Sequence, residues 1–314
     1  MKYVKIGARD LWVSRLLFGT LTLGPLQRNL PIEEGAELIC YAARRGVTFF
    51  DTAECYGTYP YIQSALKVFP DLLVCTKTYA YDRQGAERSL QLAQEGIGRE
   101  RIDVFLLHEQ ESIHTLRGHA QALEYFFEQR ERGVIGAVGI STHHIAAVQA
   151  AARWDGLDVV FAILNHRGIG IVDGTLAQME SALGEARQRG RSVFAMKALG
   201  GGHLIGDREK AFSYVINNPL VDCFAVGMQS DAEIDYNVAM TEDREPDARS
   251  VFQTSRAGRL LHIQDECAGC GRCAARCGQQ ALFIQGGRAV ARQDRCIRCG
   301  YCASVCPLFC IKVI

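Results

Sequence analysis

Two cysteine runs near the C-terminal end of this 314-residue chain could hold metal: CAGCGRCAARC at 267–277 and CIRCGYCASVCP at 296–307. Both follow CxxCxxCxxxC, through Cys267, Cys270, Cys273 and Cys277, then Cys296, Cys299, Cys302 and Cys306, with Pro307 after the second run. In two-cluster iron–sulfur sequences of this spacing the fourth cysteine of each run serves the other cluster. That crossing places Cys267, Cys270, Cys273 and Cys306 on one 4Fe–4S cluster and Cys296, Cys299, Cys302 and Cys277 on the second. Small residues between them (Gly269, Gly271, Gly300, Ala303) let backbone amides turn toward the sulfurs. Zinc also takes CxxC pairs, but it has no need of two triple runs and a trailing Cys-Pro. Cys310 is left over and reads as a buried thiol.

A second set of polar residues lies far upstream. Asp51 and Tyr56 stand in FFDTAECYG, Lys77 ends LLVCTK and His108 ends IDVFLLH. If these segments are strands whose ends meet, the four make a proton-donor site. Tyr56, with an ordinary pKa near 10, needs a neighbouring cation to share its proton near neutrality. Lys77 can supply the charge, Asp51 can hold the lysine, and His108 can orient a substrate carbonyl. Cys55 reads as a small apolar filler.

The elements that must bring them together can be read from periodicity. Candidate strands are LLFGT (16–20), TFFDTA (48–53), LLVCTK (72–77), IDVFLLH (102–108), AVGIST (137–142), VVFAILN (159–165), SVFAMK (192–197) and CFAVGM (223–228). Helical patterns lie between them, such as 33–46 and 114–133, the latter with Leu116, Leu123, Phe126 and Phe127 on one face. Eight strands separated by helical crossovers imply parallel pairing. The fold class expected is α/β, a (β/α)8 TIM barrel with chemistry at the C-terminal ends of its strands. An open doubly wound sheet is the alternative, but no GxGxxG turn follows the first strand.

With FDTAECYG, VCTK and LLH in this order, residues 1–240 resemble the aldo/keto reductase family, whose Asp, Tyr, Lys and His they match. The resemblance implies that Tyr56, Asp51, Lys77 and His108 are catalytic, that a carbonyl-type small molecule is the substrate, and that a nicotinamide dinucleotide lies across the mouth. Candidate nucleotide contacts are Ser141, Asn165, Gly227, Ser230 and Asn237, and the ALGGG backbone (198–202) could cradle phosphate. Three family contacts to the nicotinamide are replaced here, by Thr142, Phe161 and Met196, and residues 227–237 hold no Lys or Arg for an adenosine 2′-phosphate. NAD(H) or NADP(H) binding is therefore doubtful, with NADH preferred if either binds. The tail, residues 258–314, resembles a bacterial two-cluster ferredoxin, a small α+β domain.

Composition agrees with this division. Nine of the thirteen cysteines fall between 267 and 310, and the charged, polar stretch 241–257 reads as a linker. From Arg256 onward nine Lys/Arg face three Asp/Glu, although the whole chain is neutral. The basic tail could dock an acidic electron-transfer partner such as ferredoxin or flavodoxin. Arginines without interleaved aromatics argue against nucleic acid. No apolar run reaches the ~20 residues of a membrane span, and no apolar signal segment opens the chain, so a cytoplasmic, anaerobic setting is expected. The expected function is reduction of a carbonyl with electrons passed through two 4Fe–4S clusters and Tyr56 as proton donor, with a flavin as a conceivable electron converter. Two alternatives stand beside it: an NADH-linked reductase with structural or ferredoxin-coupled clusters, and a non-catalytic electron carrier or redox sensor.

Overall fold

The computed structural model describes residues 1–7, 9–254, 260–296, 298, 301–308 and 310–313. An antiparallel hairpin of β1 (Tyr3–Lys5) and β2 (Trp12–Ser14) precedes eight parallel strands that close on themselves. These are β3 (Leu16–Gly19), β4 (Phe49–Asp51), β5 (Leu73–Thr78), β6 (Ile102–Leu107), β7 (Ile135–Thr142), β8 (Val159–Ile163), β9 (Ser192–Met196) and β10 (Cys223–Gly227). The barrel closes where Phe224–Gly227 pair with Leu16–Gly19. The expected eight strands are all present.

Helices cover the outside: α1 (Ile32–Arg44), α2 (Tyr59–Leu66), α3 (Arg83–Ile97), α4 (Ile113–Gly118), α5 (Ala120–Glu131), α6 (Ile145–Arg153), α7 (Leu176–Gln188), α8 (Arg208–Asn217) and α9 (Asp231–Thr241). Local chemistry sets several of their ends. Asp82 caps α3 by accepting from Gly85 N at 2.6 Å, and Gly98 ends it in the left-handed conformation. Thr175 and Gln178 form a reciprocal capping box on α7. The periodic stretch 114–133 is two helices rather than one, broken where Gly118, a poor helix former, meets His119. Leu116, Leu123 and Phe126 are nonetheless buried together, with Phe127 half-buried beside them.

Strand alternation divides the apolar residues into two layers. One face of each strand fills the barrel interior with Leu17, Phe49, Cys75, Val104, Phe161, Phe194 and Cys223, and the hairpin plugs its lower end with Ile6, Leu11 and Val13. The other face packs beneath the helices. At the lower rim three carboxylates tie alternate strands to their neighbours. Asp103 accepts from Val74 N at 2.9 Å, Asp158 from Val138 N at 2.9 Å and Asp222 from Val193 N at 2.8 Å. Arg99, Arg130 and Arg187 pair with them in turn.

The stretch expected to be a linker contains a helix, α10 (Ala248–Gln253), packed on α9 with Ser250 and Thr254 buried. Beyond it, β11 (Leu261–Ile263) pairs antiparallel with β14 (Ile311–Val313), and β12 (Leu282–Gln285) with β13 (Arg288–Ala291). Between them lie α11 (Arg272–Arg276) and α12 (Tyr301–Ser304). The tail is thus a small α+β unit with its own core of Leu261, Leu282, Ala289, Ile311 and cysteine. Among the described residues no helix is long and apolar enough to cross a membrane.

One close approach tests the barrel directly. A Cβ on Gly139, in β7, would lie 2.2 Å from the Val159 carbonyl oxygen of β8. Gly139→Ala should therefore force the two strands apart and cost about 1–3 kcal/mol, read as a lower denaturant midpoint by tryptophan fluorescence, since both tryptophans, Trp12 and Trp154, precede residue 240.

Candidate active site and cluster domain

Asp51 ends β4, and its Cα partner on β5 is Cys75. Lys77, two residues beyond Cys75, faces the same way, into the barrel, while Thr76 and Thr78 face out and bond Tyr59 and Ser89. The buried Lys77 ammonium donates to Asp51 Oδ1 at 2.6 Å and to the Thr52 carbonyl at 2.7 Å. Burial alone would push it toward neutrality, but Asp51, then Tyr56 and Cys75, outweigh that and hold its pKa above the usual value. Tyr56 sits on a short 3-10 turn, Glu54–Tyr56, ended by left-handed Gly57. The ammonium lies 5.0 Å from the centre of the tyrosine ring. His108, directly after β6, is anchored by its backbone N–H to the Thr78 carbonyl at 2.8 Å, and its Nε2 lies 3.5 Å from the Tyr56 hydroxyl. The barrel thus brings together all four residues singled out in the sequence.

One electrostatic detail differs from expectation. Burial pushes the Tyr56 phenol up to about 12, with Lys77 pulling the other way and losing. The cation therefore does not bring the tyrosine near neutrality in the free protein, and Tyr56 stays protonated. Burial, with Lys77 second, holds His108 down at about 3, so the imidazole is neutral. With its proton on Nε2, its Nδ1 is free to accept from the Cys55 thiol 3.9 Å away. Cys55 is exposed at the mouth rather than filling space.

The mouth also holds residues that sequence reasoning passed over. Tyr79 stacks on His108, ring centroids 4.7 Å apart, and donates to Glu109 Oε2 at 2.6 Å. His143, after β7, and Lys197, after β9, interact electrostatically with Glu109 and His108. The available signal was that Glu109 and Lys197, like the tetrad residues, come at strand ends.

The candidate nucleotide contacts fare differently. The Ser141 hydroxyl accepts from Glu109 N at 3.0 Å, and Thr142 spends its hydroxyl on the Gln110 carbonyl at 2.6 Å. Asn165 is fully buried, its amide nitrogen on the Ile169 carbonyl (2.9 Å) and its oxygen on Ile169 N (2.9 Å), so it shapes its own loop. Phe161 packs inside the barrel, and Met196 is half-buried beside it. In ALGGG, Gly200 N and Gly202 N donate back to Lys197 and Leu199, which removes two amides from any phosphate cradle. Gly227 and Asn237 line a small surface pocket together with Arg208, Glu233, Tyr236 and Thr254. Ser230 caps α9, accepting from Glu233 N at 3.3 Å. Around that helix end Glu233 accepts from Gln229 N at 2.7 Å and Asp231 from Ala232 N at 2.8 Å. Cations absent from 227–237 are brought in by the fold, but each has a partner: Arg28 donates to the Gln229 carbonyl, Arg208 to the Val251 carbonyl on α10 at 3.0 Å, and Arg249 pairs with Asp231 at 2.9 Å. A helix end carrying its own carboxylates fits a nucleotide phosphate poorly.

In the tail, Cys267, Cys270, Cys273 and Cys306 line one small pocket together with Cys310, Pro307 and Ile311. These are the four assigned to the first cluster by the crossing, three from one run and one from the other. Among the described residues no three Cys, His, Asp or Glu groups converge on a single metal ion. Ala289 N reaches Cys267 Sγ at 3.4 Å and Cys310 N reaches Cys306 Sγ at 3.3 Å. Amides of Ala289 and Gly269 hold the Cys267 thiol below its usual pKa. Cys277, Cys296 and Cys302 share the tail's core, with Ala281 N on Cys277 Sγ at 3.4 Å; Cys299 lies outside the described residues. Cys310 is buried, and its amide serves a ligand sulfur.

Comparison with known proteins places this geometry. The model of the aldo/keto reductase family matches residues 15–210, well over half the chain. The chain belongs to the aldo/keto reductase family. A 4Fe-4S dicluster domain matches residues 259–307 of this aldo/keto reductase. The Glycine max protein named "Probable aldo-keto reductase 1" is 28% identical over 198 residues, 54% of this chain, and this reductase spans only 57% of that relative's length. An aldo-keto reductase of Bacillus halodurans, solved in its holo form, superposes with a TM-score of 0.67 at 19% identity, covering 81% of this chain and 95% of that one. A thermostable aldo-keto reductase solved with the inhibitor epalrestat gives 0.64 at 18% identity, covering 81% and 98%. At such identities these structures share the barrel fold.

Two measurements follow. Anaerobically purified protein should carry about eight iron and eight acid-labile sulfide per chain. Cys277→Ser should chiefly damage the cluster of Cys296, Cys299 and Cys302, leaving a single 4Fe–4S signal by electron paramagnetic resonance. The histidines set an acid limit on the barrel. Burial holds His108 at about 3 and His143 at about 4, whereas unfolding returns both to about 6.5. Unfolding therefore takes up protons below about pH 6.5, so their contribution is complete above that pH and is lost as pH falls toward 4. Urea midpoints by tryptophan fluorescence should drop between pH 7.5 and 5, and less steeply in His143→Asn.

Proposed function

We propose that this protein is an iron–sulfur oxidoreductase that reduces the carbonyl of a small molecule with electrons from a low-potential one-electron carrier. The observation that supports it is the Tyr56–Lys77–Asp51–His108 geometry in the same chain as the cluster cysteines. The self-occupied end of α9 argues that the electrons do not come from a nicotinamide dinucleotide.

Reducing a carbonyl to an alcohol replaces the C=O π bond with C–H and O–H bonds and consumes two electrons and two protons. The crossed cysteine sets would hold two clusters, which would supply single electrons and could store two between them. The protein's own residues manage position and the oxygen-bound proton. Neutral His108, protonated on Nε2, donates to the carbonyl oxygen and holds it beside the Tyr56 hydroxyl. Because the phenol is pushed up to about 12, it keeps its proton until negative charge develops on that oxygen. At that moment Lys77, pinned by Asp51, stabilises the tyrosinate left behind. Solvent returns the proton to Tyr56 and supplies the one that ends on carbon. A basic tail suits an acidic donor of the ferredoxin or flavodoxin kind. No residue pattern among the described residues calls for a flavin.

The test pairs turnover with cluster reduction. Carbonyl reduction driven by reduced methyl viologen should fall about 10²–10⁴-fold in Tyr56→Phe, while dithionite bleaches the clusters at the wild-type rate. NADH and NADPH should support little turnover. If NADH or NADPH alone sustains full activity with the clusters removed, the conventional nicotinamide-linked reductase is the correct reading; if Tyr56→Phe keeps full turnover, the tetrad is not the proton donor.

A further inference from the structure

Six non-glycine residues among those described have a left-handed backbone, and two of them are Glu109 (φ 49°) and Lys197 (φ 58°). Glu109 stands two residues beyond β6 and Lys197 directly after β9, both at the mouth. Such conformations are costly for residues with a Cβ and persist where the surroundings hold them, often at ligand sites. Here they turn the last residues of two strands so that their charged groups interact with each other and with His108 and His143 across the mouth.

The two charges are not equivalently satisfied. Glu109 accepts the Tyr79 hydroxyl at 2.6 Å. Lys197 makes no ion pair or side-chain hydrogen bond among the described residues, and its side chain is open to solvent. The neighbouring rim still desolvates it enough to lower its pKa, with Glu109 offsetting part of the effect. An accessible cation in a partly dehydrated bowl, next to a proton-donor site, is what an anionic substituent of a substrate would meet.

We propose that Lys197, with the imidazole of His143 beside it, binds the carboxylate of a small oxo-acid substrate while His108 and Tyr56 take its carbonyl. A monoanion fits better than a phosphate. One ammonium balances one charge, the nearby Glu109 carboxylate opposes a dianion, and Gly200 N and Gly202 N of the adjoining loop are spent on Lys197 and Leu199 carbonyls. Lys197 selects the substrate; it is distinct from Lys77, which serves the proton. The inference rests on the carbonyl-reductase reading, and its test is arranged so that the two can fail separately.

The experiment is anaerobic calorimetry on the cluster-loaded full chain with pyruvate, acetoacetate and levulinate, with acetone as the uncharged counterpart and inorganic phosphate as competitor. At least one oxo acid should bind about tenfold or more tightly than acetone. Lys197→Met should remove that margin without changing acetone binding, and Lys197→Arg should restore most of it. Phosphate should compete weakly. Tyr56→Phe should weaken oxo-acid and acetone binding alike and leave the margin between them intact. Unchanged oxo-acid affinity in Lys197→Met, no oxo acid preferred over acetone, or phosphate displacing the oxo acid at equal concentration would each overturn the proposal. Turnover surviving in Tyr56→Phe would overturn the proton-donor reading and leave the carboxylate site standing.

Discussion

The buried pair of Lys77 and Asp51 is the constraint around which the barrel mouth is arranged. An ammonium removed from water costs several kcal/mol unless a counter-charge and further acceptors replace its hydration. Asp51 Oδ1 and the Thr52 carbonyl do so at 2.6 and 2.7 Å. Both acceptors come from the end of β4, so the lysine on β5 is satisfied only if the two strands keep their register. The register is in turn held by the ladder through Asp51 and Cys75 and by the hydroxyl network of Thr20, Thr52 and Thr58, with contacts of 2.7–2.9 Å. The pair is therefore a geometric specification more than a source of stability. It fixes a cation beneath the Tyr56 ring, and every later feature of the mouth is placed relative to it.

The barrel's two ends use carboxylates oppositely. At the lower rim Asp103, Asp158 and Asp222 accept backbone amides from neighbouring strands and pair with arginines. Those carboxylates are spent on closure. At the upper rim the charged groups are left able to act: Lys77 beside a phenol, Lys197 open to solvent, Glu109 tethered by one hydroxyl. This division of labour matches what a parallel barrel imposes, since chemistry belongs at the C-terminal ends of strands and stability at the other. It also explains why buried aspartates below carry no functional meaning while a lysine above does.

The tetrad and the cysteine ladder could be read from the chain because each is a set of chemically distinctive residues at fixed offsets from strong strand or turn signals. Asp51, Lys77 and His108 end their apolar runs, and no folding calculation is needed to see that parallel strands place such ends together. The lower-rim aspartates were not legible, because an Asp before a strand looks the same whether it faces water or a neighbouring amide. Lys197 was hidden for another reason: its role depends on a left-handed backbone that neither its type nor its neighbours in AMKALGGG announce. The helix at 248–253 was masked by charge, since in TEDREPDARSVFQ its few apolar side chains give little periodicity; Asp247 caps it and its contacts with α9 hold it. Tyr56 was placed correctly, but its pKa was misjudged, because proximity to a cation is visible in sequence and the desolvation that outweighs it is not.

The helix α10 bears on how the two halves of the chain share labour. It leaves the barrel, lies on α9, accepts Arg208 at Val251 and offers Arg249 to Asp231, so the connection to the cluster unit runs over the surface where a dinucleotide's phosphates would be expected. A barrel fed by a diffusing nucleotide has to keep that surface open. A barrel fed through its own tail does not, and can use the same groove to anchor the tail. The tail makes a further approach: Arg276, next to Cys277, lies near His203 in the loop after β9, where, second to burial, it helps hold that imidazole at about 4. That loop begins at Lys197. On the reading proposed above, a cluster unit anchored over α9 and approaching the segment that carries Lys197 would account for both the lack of open phosphate contacts and the presence of the tetrad, which chemistry on a carbonyl needs whatever the source of its electrons.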